Sequence, residues 1–232
     1  MNPSSELRDI VGHMKRFLAA HGELGLEPPR LSGVYRDPSE NNPLEMSSLE
    51  ALREFIGDCR RCKLWNGRNH LVFGEGSPGA RLVFVGEGPG RDEDAEGRPF
   101  VGEAGKLLTR IIESGMGLKR EDVYVCNVVK CRPPNNRVPE RDEIQSCLPF
   151  LQRQIGIINP ECICALGLTA AQSLLGRPVV MNRERGKWVS FMDIPMMPTY
   201  HPAYLLRNSS AKRQVWEDVQ EIMKLMNLEV KK

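Results

Sequence analysis

The chain has 232 residues, 41% hydrophobic and 27% charged, with a formal net charge of +2. This composition fits one globular domain with a real core and a small appendage; it excludes an overall basic field, so any nucleic acid must be met by a local patch. No apolar run approaches a membrane span, the opening MNPSSELRDI lacks a signal-peptide core, and seven cysteines, an odd number, then point to a reducing cytoplasm and not to a disulfide framework.

The first expected element is an amphipathic helix within residues 1–25. It places Leu7, Ile10, Val11, Met14, Phe17 and Leu18 on one face and stops at Gly22. A linker over 26–46 follows, marked by Pro28, Pro29, Pro38 and Pro43. Ser47 and Glu50 predict a capping box that opens a short helix ending at Ile56, which delivers Cys59 and Cys62 just past its end.

From there the pattern alternates. Strands are predicted over 81–85, 123–129, 162–166 and 194–200, each a short apolar run of the kind buried in parallel sheets. Helices are predicted over 103–115, 140–157, 169–175 and about 210–226, the last with Val215, Val219, Ile222, Met223 and Met226 inward. The order implies a three-layer α/β/α sandwich around a four-stranded, mainly parallel sheet, occupying 47–228. Sites in such folds lie at the carboxyl ends of the strands.

Three polar clusters fall at those ends. In the first, Gly86, Gly88, Pro89 and Gly90 make a tight turn with Glu87 locked between two glycines; an acidic run (Asp92, Glu93, Asp94) and Phe100 follow. A Rossmann or Walker loop does not fit, because the third glycine and the lysine are missing. Asp92, Asp94 and Glu96 also read as a solvated face. In the second, Asn127 interrupts an apolar strand with a group that both donates and accepts. Lys130, Arg132 and Arg137 follow it as a basic patch for phosphates. In the third, His201 stands between a strand and a proline, with Leu205, Leu206 and Arg207 beyond it. His13, His21 and His70 have no such setting.

The cysteines add a fourth feature. Cys59 and Cys62 form a C-x2-C pair, whereas Cys131 and Cys147 bracket a loop, and the predicted 140–157 helix carries Cys147. Ligands drawn from three separate places fit a [4Fe-4S] cluster better than a zinc knuckle, which repeats the tight pair on both sides. Zinc, or four unrelated buried thiols, are the alternatives.

Together these features resemble the family-4, iron-sulfur uracil-DNA glycosylases. The resemblance covers about residues 50–225 and rests on G-E-G-P-G, G-R-P-F-V-G-x-A-G-x-L-L, N-V-V-K-C-R-P-P-N-N-R and H-P-A-Y-L-L-R in that order. It implies a monofunctional enzyme of base excision repair that flips uracil from DNA and hydrolyses its N-glycosidic bond. Cys59, Cys62, Cys131 and Cys147 would hold the cluster. Glu87 and the backbone of Gly88 to Gly90 would activate water, and Phe100 would stack on uracil. Asn127 would read the base edge, and His201 would stabilise the departing anion. Lys130, Arg132 and Arg137 would meet phosphates, and Leu205, Leu206 and Arg207 would wedge into the duplex. Better-known relatives carry Asp at the place of Gly88 and Tyr at that of Gly90, which leaves Glu87 as the candidate base and Glu93 as the candidate filter against thymine. The expected partner is uracil-containing DNA, single- or double-stranded, with no membrane. The chain is expected to act as a monomer, with the N-terminal helix available to a protein partner. Two other readings stand beside this one: a covalent uracil-DNA trap, whose histidine-bearing insertion is missing here, and a redox-sensing DNA-binding module, which leaves Glu87, Phe100, Asn127 and His201 without purpose.

Overall fold

The structure, a computed structural model, describes residues 42–229. The predicted N-terminal helix and all but the end of the linker lie outside the described residues. From Pro43 onward the chain forms one compact unit.

Helix α1 (Leu49–Ile56) begins where the Ser48 hydroxyl accepts from the Ala51 amide at 3.1 Å. The cap is therefore Ser48, not Ser47 with Glu50, because the capping oxygen must reach an amide of the first turn. Leu49, Leu52 and Ile56 are buried, at helical spacing. Strand β1 (Glu75–Gly76) and strand β2 (Leu82–Gly86) come next, then helix α2 (Arg91–Glu96) and helix α3 (Glu103–Arg110). The chain continues past α3 as a π-helical turn over Ile111–Gly115, so the predicted 103–115 helix changes its winding half-way. Strand β3 (Tyr124–Asn127), helix α4 (Arg141–Ile158), strand β4 (Cys162–Leu166) and helix α5 (Leu168–Leu175) follow. The chain closes with helix α6 (Met181–Glu184), strands β5 (Val189–Phe191) and β6 (Ile194–Thr199), and helices α7 (Pro202–Arg207) and α8 (Lys212–Leu225).

One sheet has the order β1-β3-β2-β4-β6-β5. The inner four strands are parallel, with Val85 opposite Cys126 and Ala165, and Cys164 opposite Met197. These are the four predicted strands. β1 and β5 add antiparallel edges, making six. Two residues, Glu75 and Gly76, are too short a run to carry an alternation, and β5 has only three.

The sheet divides the core in two. Val83, Val85, Ile163, Ala165 and Met196 face Leu52, Leu151, Ile155 and Ala171 from α1, α4 and α5. Leu82, Phe84, Val125, Cys164 and Met197 face Leu108, Val215, Val219 and Ile222 from α3 and α8. Burial on both faces accounts for the continuous apolar runs. It also accounts for Cys126, Cys162 and Cys164, which are at most 1% exposed and act as small hydrophobes.

Candidate active site and cysteine centre

The carboxyl ends of β2, β3, β4 and β6 open into a cleft of about 910 Å³ lined by Glu87, Phe100, Asn127, Thr169 and His201, among others. β2 ends at Gly86, directly opposite Asn127. Only glycine fits there. A Cβ on Gly86 would lie 2.4 Å from Asn127 Oδ1 and 2.6 Å from Phe100 Cζ. The missing side chain lets an amide and an aromatic ring stand together at a strand end.

Asn127 is 1% exposed, and neither Oδ1 nor Nδ2 has a hydrogen-bond partner. Leaving a buried polar group unsatisfied costs roughly 1–3 kcal/mol. The amide therefore offers one donor and one acceptor to whatever enters the cleft.

Phe100 has φ 54, a left-handed conformation that a bulky residue adopts only under constraint. Glu93 supplies much of that constraint. One carboxylate oxygen accepts from the amides of Val101 and Gly102, each at 3.0 Å, and the other from Gly90 at 3.1 Å. Arg120 also donates to Pro99 O at 2.6 Å. The held ring stacks on His201, with centroids 5.5 Å apart and planes at 29°.

His201 caps α7. Its Nδ1 accepts from the Ala203 amide at 3.1 Å, which leaves the proton on Nε2. Burial pulls its pKa from 6.5 down to about 4, with a smaller push in the same direction from Arg207 and an opposing one from Glu93. At neutral pH the ring is thus an uncharged Nε2–H donor. Glu87, at the mouth of the turn, accepts from Thr169 Oγ1 at 2.5 Å. Sequence reading missed Thr169. It stands just past β4, the strand end whose residues carried no charge to draw notice.

The four cysteines of the second centre come from the end of α1, the end of β3 and the body of α4. Burial pushes the thiols of Cys62, Cys131 and Cys147 up, Cys147 to about 12. Each is raised further by another of the four: Cys62 by Cys59, and Cys131 and Cys147 by Cys59 in turn. They share a neighbourhood, yet among the described residues no three such side chains close on a single ion. N–H groups point at the sulfurs: Arg61 to Cys59 at 3.4 Å, Arg68 to Cys131 at 3.1 Å and the Lys130 amide to Cys147 at 3.3 Å. Cys131 is buried and the other three are half-buried, and sulfur donors gathered from separate segments, three of them facing N–H groups, fit a thiolate-held metal centre.

A model of the uracil DNA glycosylase superfamily matches residues 73–220. A type-4 uracil-DNA glycosylase of Sulfurisphaera tokodaii is 47% identical over 188 residues, which cover 78% of this chain and 86% of that protein. The type-4 enzyme of Thermotoga maritima is 48% identical over 177 residues, covering 75% and 92%. The chain belongs to the uracil-DNA glycosylase superfamily, in its type-4 branch. A type-5 uracil-DNA glycosylase of Pyrobaculum aerophilum is more distant, at 27% identity over 193 residues.

Within this type-4 glycosylase, several expected contacts need correction. Lys130 is 1% exposed and cannot meet a phosphate: its Nζ donates to the main-chain O of Asn127 at 2.8 Å, and its own carbonyl accepts from Val72 N at 2.8 Å. Arg137 spends its guanidinium on Glu143, at 2.6 and 2.8 Å, and so clamps its loop. Leu205 is 2% exposed because it shares the inner face of α7 with Pro202, whereas Leu206, 48% exposed, and Arg207 face outward. Glu93, with its carboxylate engaged by three amides, is a loop anchor and not a free wall against thymine. Asp94 is not a solvated charge either: it is 1% exposed and accepts from both nitrogens of Asn69 at 2.8 Å. The two glycines at places where relatives carry Asp and Tyr have local causes. A Cβ on Gly88 would meet Val129 Cγ2 at 2.7 Å, and one on Gly90 would meet Glu93 Oε2 at 2.7 Å.

Proposed function

We propose that this glycosylase flips uracil out of DNA into the cleft and hydrolyses its N-glycosidic bond, leaving an abasic site. The observation that carries the reading is the unpartnered Asn127 amide beside Phe100 and His201. Its Nδ2–H matches uracil O4 and its Oδ1 matches N3–H. Cytosine presents the reverse pattern at those two positions. Phe100 supplies an apolar face for the flipped base.

Bond cleavage places negative charge on uracil O2 and positive charge on the sugar. The His201 Nε2–H would donate to O2 as that charge grows, so its contribution falls on the transition state. A neutral donor suits this role, because it does not hold the ground-state base with a full charge. Glu87, steadied by the Thr169 hydroxyl, would orient water and offset the cationic sugar. Arg132 and Arg207 make no ion pair among the described residues and are assigned to phosphates, and Leu206 to the space the base vacates.

Cys59, Cys62, Cys131 and Cys147 would hold a [4Fe-4S] cluster. When bound, it would cross-link α1, the end of β3 and α4, and all four thiolates would be occupied as ligands. The test uses an end-labelled oligonucleotide with one uracil, incubated with iron-replete protein and then treated with alkali. Cleavage at uracil alone, and only after alkali, is the expected result. An intact oligonucleotide would overturn the reading, and a denaturation-resistant adduct would replace it with the covalent trap.

A further inference from the structure

Lys130 has no task in the reading above, yet it is one of the largest fully buried side chains in the described structure. Lysine is almost never fully buried unless paired. Its ammonium donates to the main-chain O of Asn127 at 2.8 Å, and its own amide donates to Cys147 Sγ at 3.3 Å. Its neighbour in the chain is Cys131, whose sulfur accepts from Arg68. One residue therefore touches both centres. Asn127 itself has no side-chain partner to fix its amide, so the orientation of that amide depends on how its main chain is held. The next peptide is held by Val128 N donating to Gly86 O at 2.9 Å; the Lys130 ammonium holds the Asn127 carbonyl from the other side.

We infer that Lys130 is a positioning residue that ties the cysteine centre to the base-reading amide of Asn127. The inference rests on the uracil reading of the cleft. It gives the cysteine centre a function in recognition without any part in bond breaking: closing α4 onto the Lys130 amide fixes the lysine, and the lysine fixes the peptide from which Asn127 projects.

Two variants test it on iron-loaded protein: Lys130→Met, which keeps the length and loses the donor, and Lys130→Gln, which keeps a donor. Iron per chain, the Kd for free uracil, and kcat and KM on a single-stranded uracil oligonucleotide are measured for each. Lys130→Met is expected to keep its iron and its KM, which phosphate contacts dominate, while the uracil Kd rises and kcat falls, each about tenfold, the loss of one buried hydrogen bond. Lys130→Gln should recover part of both. Equal uracil affinity in wild type and Lys130→Met overturns the inference. A wild type that neither binds uracil nor releases it from DNA overturns the uracil reading instead. Hydrogen exchange of the wild-type protein decides the matter if the variants do not fold. Free uracil should slow exchange at residues 128–131 and at residues 144–148 of α4. Protection that stops at Asn127 overturns the coupling.

Discussion

Gly86→Ala isolates the steric demand at the centre of the cleft. Gly86 does not have a positive φ, so alanine meets no backbone strain there and the effect is one of space alone. The new Cβ would lie 2.4 Å from Asn127 Oδ1, 2.6 Å from Phe100 Cζ and 2.8 Å from Phe100 Cε2. Ordinary carbon contacts begin near ~3.5 Å, so the ring and the amide must each retreat by about 1 Å. The ring cannot retreat easily, because His201 lies against it and Glu93 and Arg120 pin its main chain. Overpacking of this kind destabilises by roughly 1–3 kcal/mol. A displacement of about 1 Å at a reacting centre lowers the rate about a hundredfold. Single-turnover release of uracil from a single-stranded oligonucleotide measures the rate, and urea unfolding measures the stability. A rate within about threefold of wild type, with unchanged stability, would refute the argument that Gly86 is held to glycine by Asn127 and Phe100.

Thr169→Val removes the hydroxyl that Glu87 accepts from and keeps the volume; kcat should fall about tenfold at unchanged KM, and Thr169→Ser should restore it. Asn127→Leu removes two unsatisfied buried atoms; stability by urea unfolding should rise by about 1 kcal/mol or more while uracil release is lost, and a fall in stability would show that the amide has a protein partner. For His201 the unfolded ring titrates near 6.5 and the folded one at about 4, so the stability gained by keeping it neutral is present above pH 6.5 and is lost as pH falls toward about 4. The melting temperature should therefore drop over that window by the uptake of about one proton, and His201→Asn should flatten the drop. Cys131→Ser should lower iron content and melting temperature together, because a buried sulfur that accepts from Arg68 is replaced by a poorer ligand.

The four parallel strands were legible because burial on both faces writes an unbroken apolar run, and 162–166 matches β4 residue for residue. The edge strands were not, because Glu75–Gly76 owes its strand geometry to pairing with β3 and not to its own residue types. The cleft residues Glu87, Asn127 and His201 were legible as polar residues at strand ends, and Phe100 as an aromatic in a glycine-rich segment. Misreadings came from treating charge as exposure. Lys130 was expected at a phosphate, Asp94 on a solvated face and Glu93 free to face the base, and each is instead consumed by main-chain or neighbouring amide groups. Sequence spacing gives no sign of this, because the partners lie on segments that only the fold brings close. Leu205 against Leu206 is the same lesson on one turn of helix: α7 is too short for its periodicity to say which of two adjacent leucines faces in.

Among the described residues only three buried side-chain polar atoms lack a partner, and two of them are on Asn127. The third is Gln154 Oε1, whose own Nε2 donates to Phe73 O; elsewhere the interior meets its polar demands closely, as where Thr199 Oγ1 donates to Asp218. A chain that satisfies Asp94 with two nitrogens of Asn69 has the means to satisfy one amide more. The exception therefore asks for a cause other than poor packing. It coincides in space with the left-handed Phe100 and with a histidine driven neutral by burial. Each of these opposes folding, and each is offset by rigid support from outside the cleft: Glu93 and Arg120 on the loop of Phe100, the Ala203 amide on His201, and Lys130 on the peptide of Asn127. Unfavourable terms gathered at one cleft, with their supports spread around it, are what pre-organisation for a ligand requires. An edge that both donates and accepts, set between Asn127 and His201, would relieve the largest of them.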